Sequence, residues 1–157
     1  MNLKIRDIAP EINLLASNGK NVSLKDFKGN KNVVLYFYPK DDTSGCTVEA
    51  CGFRDALKNI KKQDAVILGV SPDGMDSHKK FIEKFQLPFL LLSDEAKKTC
   101  QDYGVWVEKS MYGRKYMGVT RTTFIIGKDG KIKKIFEKVK PEGHEEEVLA
   151  ALKDLSD

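Results

Sequence analysis

The chain is poor in the residues that build most metal centres and disulfide frameworks: three cysteines and two histidines in 157 residues. A structural zinc needs about four converging ligands, and Cys46-x-x-x-x-Cys51 followed by a distant Cys100 has no zinc-finger spacing. No metal and no cofactor are expected. An odd number of cysteines does not close into a set of paired disulfides. The start, Met1-Asn-Leu-Lys-Ile-Arg-Asp7, also lacks the apolar core of a secretory signal. Working thiols in a reducing compartment, the cytoplasm, are therefore expected. No apolar run approaches the roughly 20 residues of a membrane span, so no membrane partner is expected. A Gly-rich phosphate loop is missing. So is a Cys-x-x-Cys pair, which argues against a general disulfide oxidoreductase. Charge of one sign is missing too: 27 basic and 23 acidic residues leave +4, thoroughly mixed. Lysines gather near 58–62 and 128–140, but acidic residues interleave in the second stretch. Without interleaved aromatics or a recognised binding motif, these read as solvated surface and not as a nucleic-acid interface.

What is present suits one compact domain spanning 1–157, with an ordinary 41% hydrophobic content and a core of its own. Glu11 to Leu15 and Asn21 to Leu24 flank Ser17-Asn18-Gly19-Lys20, an N-terminal hairpin in which Asn-Gly supplies positive φ angles. Val33 to Tyr38 and Ala65 to Ser71 read as buried strands, the second ended by Pro72-Asp73-Gly74. Helices are expected at about Cys46 to Lys61 and Asp76 to Phe85. Pro88 to Leu92 is another apolar run, and Ser93 or Asp94 can cap a helix over about Glu95 to Tyr103. Thr122 to Ile126 and Lys131 to Val139 flank Gly127-Lys128-Asp129-Gly130, a hairpin signal. Gly143 to Leu155 closes the chain as an amphipathic helix, acidic at its start and with Lys153 near its end. Glu108 to Thr120 has the least pattern and reads as a loop or irregular strand long enough to border a site. There is no internal repeat and no linker. This order points to an α/β layer structure with a mixed sheet.

The segment that carries chemistry is Pro39-Lys-Asp-Asp-Thr43-Ser-Gly-Cys46-Thr-Val-Glu49-Ala-Cys51. It joins a buried strand to a helix and places Cys46 at or just inside the first helical turn. Unpaired N–H groups and the positive end of the helix dipole favour a negative charge there, and so a thiolate. Cys51 follows five residues later, and the pair reads as a cysteine nucleophile with a resolving partner. An inert buried cysteine is the other reading of Cys46, and the flanking Thr, Ser, Gly and Thr speak against it. A buried helix cysteine is the lesser reading of Cys51. Five helical residues rise roughly 7.5 Å and turn about 140°. The two Cα atoms then lie about 8–9 Å apart, beyond the roughly 7 Å that a disulfide spans. A bond between them requires the first turns of the helix to unwind.

The same residues resemble a known family. Pro39-x-x-x-Thr43-x-x-Cys46 is similar to the peroxidatic motif of the peroxiredoxins. Gly45-Cys46-Thr47-Val48-Glu49-Ala50-Cys51-Gly52-Phe53-Arg54-Asp55 resembles their Q-type subfamily, the bacterioferritin comigratory proteins. Ala9-Pro10, Leu92-Ser93-Asp94, Arg121-Thr122-Thr123-Phe124-Ile125-Ile126 and Gly143-His144 match in order along nearly the whole chain. Ser44 departs from the pattern, where the subfamily often has a second proline. The helix Asp76 to Phe85 lacks the resolving cysteine that some members carry there, so only Cys51 fits. The resemblance implies a thioredoxin-like fold with a mixed central sheet, flanking helices and an N-terminal β-hairpin. It also implies reduction of hydrogen peroxide and organic hydroperoxides, a thioredoxin-type dithiol as reductant, and a monomer.

Candidate roles follow. Cys46 attacks the peroxide and Cys51 resolves the sulfenic acid. Thr43 can hydrogen-bond the sulfur or a peroxide oxygen, though alone it reads as a turn or cap threonine. Pro39 shields the sulfur in the family, though any strand-ending proline looks the same. Arg121, one of four arginines, can stabilise thiolate and peroxide through its planar fork, or sit at a strand end as surface charge. Glu49, one turn beyond Cys46, either orients an arginine or is solvated. Cys100 reads as a small core residue, and His78 and His144 as surface or helix-end histidines. Trp106, Tyr112, Tyr116 and Met117 could rim the entrance, with packing as their ordinary role. A non-catalytic sensor that passes oxidation to a partner by disulfide exchange is the second reading.

Overall fold

The computed structural model describes residues 2–156. In chain order its elements are β1 (Leu14–Ala16), β2 (Asn21–Val22), β3 (Asn32–Phe37), α1 (Ser44–Lys61), β4 (Ala65–Ser71), α2 (Met75–Phe85), β5 (Leu90–Ser93), α3 (Lys98–Asp102), β6 (Trp106–Met111), β7 (Arg114–Val119), β8 (Thr122–Ile126), β9 (Ile132–Phe136) and α4 (His144–Ser156). Side chains on a strand alternate between faces. Val33, Leu35 and Phe37 therefore enter one buried cluster, while Val34, Tyr36 and Tyr38 enter another. A strand buried on both faces belongs in the middle of a sheet. β3 lies there, in the order β2-β1-β5-β4-β3-β8-β9. β3, β4 and β5 run parallel, and β1, β8 and β9 are antiparallel to their neighbours, so the sheet is mixed as expected.

Helices cover one face. Phe53, Leu57 and Ile60 of α1, Phe81 of α2 and Val148 and Leu152 of α4 pack on Val34, Tyr36, Ile67 and Ile125. Ala9, Ile12 and Ala16 from the N-terminal segment, Cys100 and Tyr103 around α3, and Val105 and Val119 close the other. Among the described residues no helix is long and apolar enough to cross a membrane.

Three local expectations need correction. The stretch from Glu108 to Thr120, expected as a loop or irregular strand, is regular hairpin over most of its length. It lies largely within β6 and β7, a separate two-stranded ladder running from Trp106↔Val119 to Met111↔Arg114. Tyr112 and Gly113, at φ 52° and 77°, close it. A tyrosine in the position usually held by Asn or Asp hid the turn. Exposed Met111, Tyr116 and Met117 hid the strand alternation. In the first hairpin only Gly19 takes a positive φ, 84°, and Asn18 does not. The helix expected over Glu95 to Tyr103 shrinks to α3, because Lys97 adopts φ 59°. Asp94 caps it, accepting from the backbone N–H groups of Thr99 at 3.3 Å and Cys100 at 2.7 Å.

Candidate active site

The antiparallel register Phe37↔Thr122 sets Arg121, just before β8, beside the C-terminal end of β3. The chain leaves β3 through half-buried Pro39 and re-enters regular structure at Ser44, the first residue of α1. Tyr38 still donates its N–H to the Val70 carbonyl at 3.0 Å, and Pro39, which has no N–H, ends the ladder. Cys46 is thus the third residue of α1 and only 1% exposed. Arg121 Nη2 lies 3.3 Å from its Sγ. Gly45 makes this approach possible, since a Cβ there would sit 3.1 Å from the same Nη2.

The other arm of the fork is engaged as well. Arg121 Nη1 donates to Glu49 Oε1 at 2.8 Å. Residues three apart share a helix face, so Cys46 and Glu49 present thiol and carboxylate to one guanidinium. Glu49 therefore orients the arginine and is not solvated; its side chain is fully buried. Its Oε2 and the Tyr36 hydroxyl are buried without a partner. Burial pushes the Glu49 carboxyl up from its ordinary 4.5 to about 7, outweighing the pull of Arg121. Burial, followed by the negative charges of Glu49 and Cys46, keeps the Tyr36 phenol protonated well above its usual range.

A carboxyl whose native value is raised favours folding fully below its unfolded value, and that contribution is lost as pH rises through the native one. The window for Glu49 runs from 4.5 to about 7. Replacing Glu49 by Gln should remove this slope. Urea unfolding should show wild type losing stability relative to Glu49→Gln across that window, by about 3 kcal/mol at most, with a flat difference on either side. The pH–rate profile of Cys46 oxidation should lose an inflection near 7 in the same variant. His144 works in the opposite direction. Burial and then Arg121 lower it to about 4, so its contribution is lost only in acid. The wild-type-minus-variant difference cancels it.

The remaining expected residues lie as follows. Thr43 is the N-cap of α1 and exposed, and its hydroxyl donates to the Lys40 carbonyl at 3.0 Å. With its proton so engaged, its oxygen is left to accept a hydrogen bond from an incoming molecule. Cys51 is half-buried within the unbroken helix, and all three cysteines are free. Cys100 is fully buried. Burial and then Asp94 push its thiol far above the usual range, which makes it an inert core residue.

Neither histidine lies at the surface, though one stands at a helix end as expected. His78 is fully buried against Asp41, and His144, although it does begin α4, is 1% exposed. His144 Nε2 meets Thr123 Oγ1 at 2.8 Å, between the edges of Phe53 and Phe136. Tyr112, Tyr116 and Met117 stand exposed on the β6–β7 hairpin, not packed, while Trp106 is half-buried near Lys97. Lys109 was missed altogether. Its ammonium donates to the Val119 carbonyl at 2.5 Å. Burial and then Arg121 lower its pKa, while the Cys46 charge opposes this, so it is a second cation within electrostatic reach of the sulfur. The only sequence signal for it was a lysine in the unpatterned segment that borders the site.

The profile of the AhpC/TSA family matches residues 5–135. The chain is 48% identical to peroxiredoxin Bcp of Bacillus subtilis over 157 residues, covering 100% of this chain and 99% of that one. It is 45% identical to peroxiredoxin Bcp of Escherichia coli K12 over 152 residues, 97% of each. Among solved structures, a cysteine-to-serine variant of Xylella fastidiosa PrxQ superposes with a TM-score of 0.93 at 35% identity, covering 100% and 99% of the two chains. The bacterioferritin comigratory protein of Xanthomonas campestris, studied for alkyl peroxide reduction, gives 0.91 at 37% identity and 99% of both chains. The fold is thus thioredoxin-like, as expected.

Proposed function

Because the chain belongs to the AhpC/TSA family, among its Bcp or Q-type peroxiredoxins, we propose that it is a thiol peroxidase in which Cys46 is the nucleophile and Cys51 the resolving sulfur. The observation that carries this reading is the Arg121 fork, held by Glu49 at 2.8 Å and set 3.3 Å from Cys46 Sγ. A fixed cation at a thiolate also lies where charge develops on the peroxide oxygens. The Cys46 thiolate attacks one peroxide oxygen as the O–O bond breaks. The departing oxygen takes a proton and leaves as water or alcohol, and the sulfur becomes a sulfenic acid. Thr43 Oγ1 accepts from the hydroperoxide O–H, and Pro39 screens the sulfur from solvent. Cys51 then displaces water from the sulfenic acid to form the disulfide. A thioredoxin-type dithiol protein reduces it by exchange. We place the protein in the cytoplasm as a single-domain monomer, in keeping with the subfamily.

Rapid multiple turnover with hydrogen peroxide and a thioredoxin-type reductant is the expected result. A single oxidation per chain, with the oxidising equivalent passed only to a protein partner, would support the sensor instead. The regular helix adds a structural requirement. With α1 intact the two sulfurs stay apart, so disulfide formation must expose amides between about Cys46 and Arg54. Hydrogen exchange there should be faster in the oxidised than in the reduced protein. Identical exchange in both forms, alongside a confirmed Cys46–Cys51 bond, would refute the unwinding step.

A further inference from the structure

Five residues before Cys46, the loop is tied down by a buried polar cluster that the peroxidase chemistry does not use. Asp41 and His78 have side chains only 3% and 0% exposed. Asp41 Oδ1 accepts from the Tyr38 hydroxyl at 2.5 Å. Its Oδ2 accepts from the Ser77 hydroxyl at 2.8 Å and lies 2.7 Å from His78 Nδ1. Its backbone N–H donates to Asp73 Oδ2 at 2.7 Å, and Asp73 in turn accepts from the Ser71 hydroxyl at 2.8 Å. His78 Nε2 lies 3.0 Å from the Leu92 carbonyl. One loop residue is thereby fastened to the end of β3, the turn after β4, the start of α2 and the end of β5.

The donor count decides the chemistry of this cluster. A backbone carbonyl can only accept, so Nε2 carries a proton. His78 thus bridges the Asp41 carboxyl and the Leu92 carbonyl through its two ring nitrogens. A buried polar group left without its partner is costly, so this cluster fixes position more firmly than an exposed contact would. Only Asp42, at φ 56°, and Thr43 separate Asp41 from α1. An exposed pair between Asp42 and Lys84 at 2.8 Å adds a weaker tie.

We propose that the Asp41–His78 pair is the anchor of the loop leading into α1, a positioning pair that keeps the first turn of α1 closed during peroxide attack and limits how readily it unwinds for resolution. This rests on the assignment of Cys51 as resolving sulfur. With the anchor in place, the mobile segment is the short run from Asp42 to Cys51. Without it, the segment extends back to Pro39, and Cys46 leaves its place beside Arg121 more readily.

Asp41→Asn is the primary test, because it replaces one carboxyl oxygen by an amide nitrogen while keeping the shape. Ser77→Ala removes one hydrogen bond and leaves the pair intact. In Asp41→Asn the second-order oxidation of Cys46 should slow about tenfold, and resolution should accelerate by a similar factor, the weight of one buried hydrogen bond. Less sulfinic acid should accumulate at high peroxide. Ser77→Ala should shift both rates in the same directions by less. A general loss of structure would not slow one step and speed the other. Amide exchange over residues 44–49 of the reduced protein should rise about tenfold in Asp41→Asn while β3 and β8 keep their protection. That measurement needs no disulfide, so it tests the anchor even if Cys51 proves not to resolve. Unchanged exchange at 44–49 in folded Asp41→Asn would overturn the proposal, as would wild-type rates of both steps.

Discussion

Replacing Cys46 by Ser should abolish peroxide consumption, while Cys51→Ser should permit one fast oxidation per chain and then stall under a thioredoxin-coupled assay. The first effect is total because a serine hydroxyl without a dedicated base is a far weaker nucleophile than a thiolate. The Arg121 guanidinium beside position 46 only donates and cannot serve as that base. The second effect separates attack from resolution. Cys51 lies outside the Arg121 fork, so its loss leaves the first step intact and the sulfenic acid without its partner. Stopped-flow fluorescence and mass spectrometry of the oxidised product distinguish the two variants. Peroxide reacting with Cys46→Ser at the wild-type rate would remove Cys46 from the mechanism. Cys100→Ser is the control and should turn over nearly as wild type, because that sulfur is on α3 and fully buried in the core.

Arg121→Lys should cost on the order of a hundredfold in second-order peroxide reactivity, the scale of losing one preorganised donor where charge develops. Lysine keeps the charge but has no planar fork. One ammonium cannot hold Glu49 Oε1 and Cys46 Sγ in the separate directions that Nη1 and Nη2 now serve. Drawn to the buried carboxylate, it leaves the sulfur with less support, and the thiolate fraction at neutral pH should fall. Thiolate absorbance reports that fraction, and stopped-flow oxidation reports the rate. Lysine is chosen over alanine because alanine would strand the Glu49 carboxylate in the interior. Removing one partner of a buried pair typically costs about 3–5 kcal/mol, which would confound reactivity with stability. Wild-type kinetics in the lysine variant would place Arg121 outside the reaction.

Much of this was legible in the chain. The Val33 to Tyr38 run showed its two-sided burial, and the positions of Cys46, Thr43 and Pro39 around the strand–helix junction followed from turn and helix-start signals. The five-residue spacing already set Cys46 and Cys51 apart on an intact helix, because helix rise and rotation are local properties. The β6–β7 hairpin escaped notice because its turn uses Tyr112 and its strands carry exposed apolar side chains. His78 and His144 were misread because a short polar side chain gives no local sign of whether a distant element will cover it.

The sequence by itself determined most of the elements and the place of Cys46 at a helix start, since each depends on backbone preferences within a few residues. Only the tertiary structure decided which charges meet the sulfur. The β3–β8 register brings Arg121 across 75 residues of chain to Cys46. Packing of α1 on the sheet turns Glu49 from a solvated helix glutamate into a buried one raised to about 7. The closing of α2 over the loop pairs Asp41 with His78. Desolvation and charge pairing depend on what surrounds a group in space, and in this protein most of those surroundings come from residues far away in the chain.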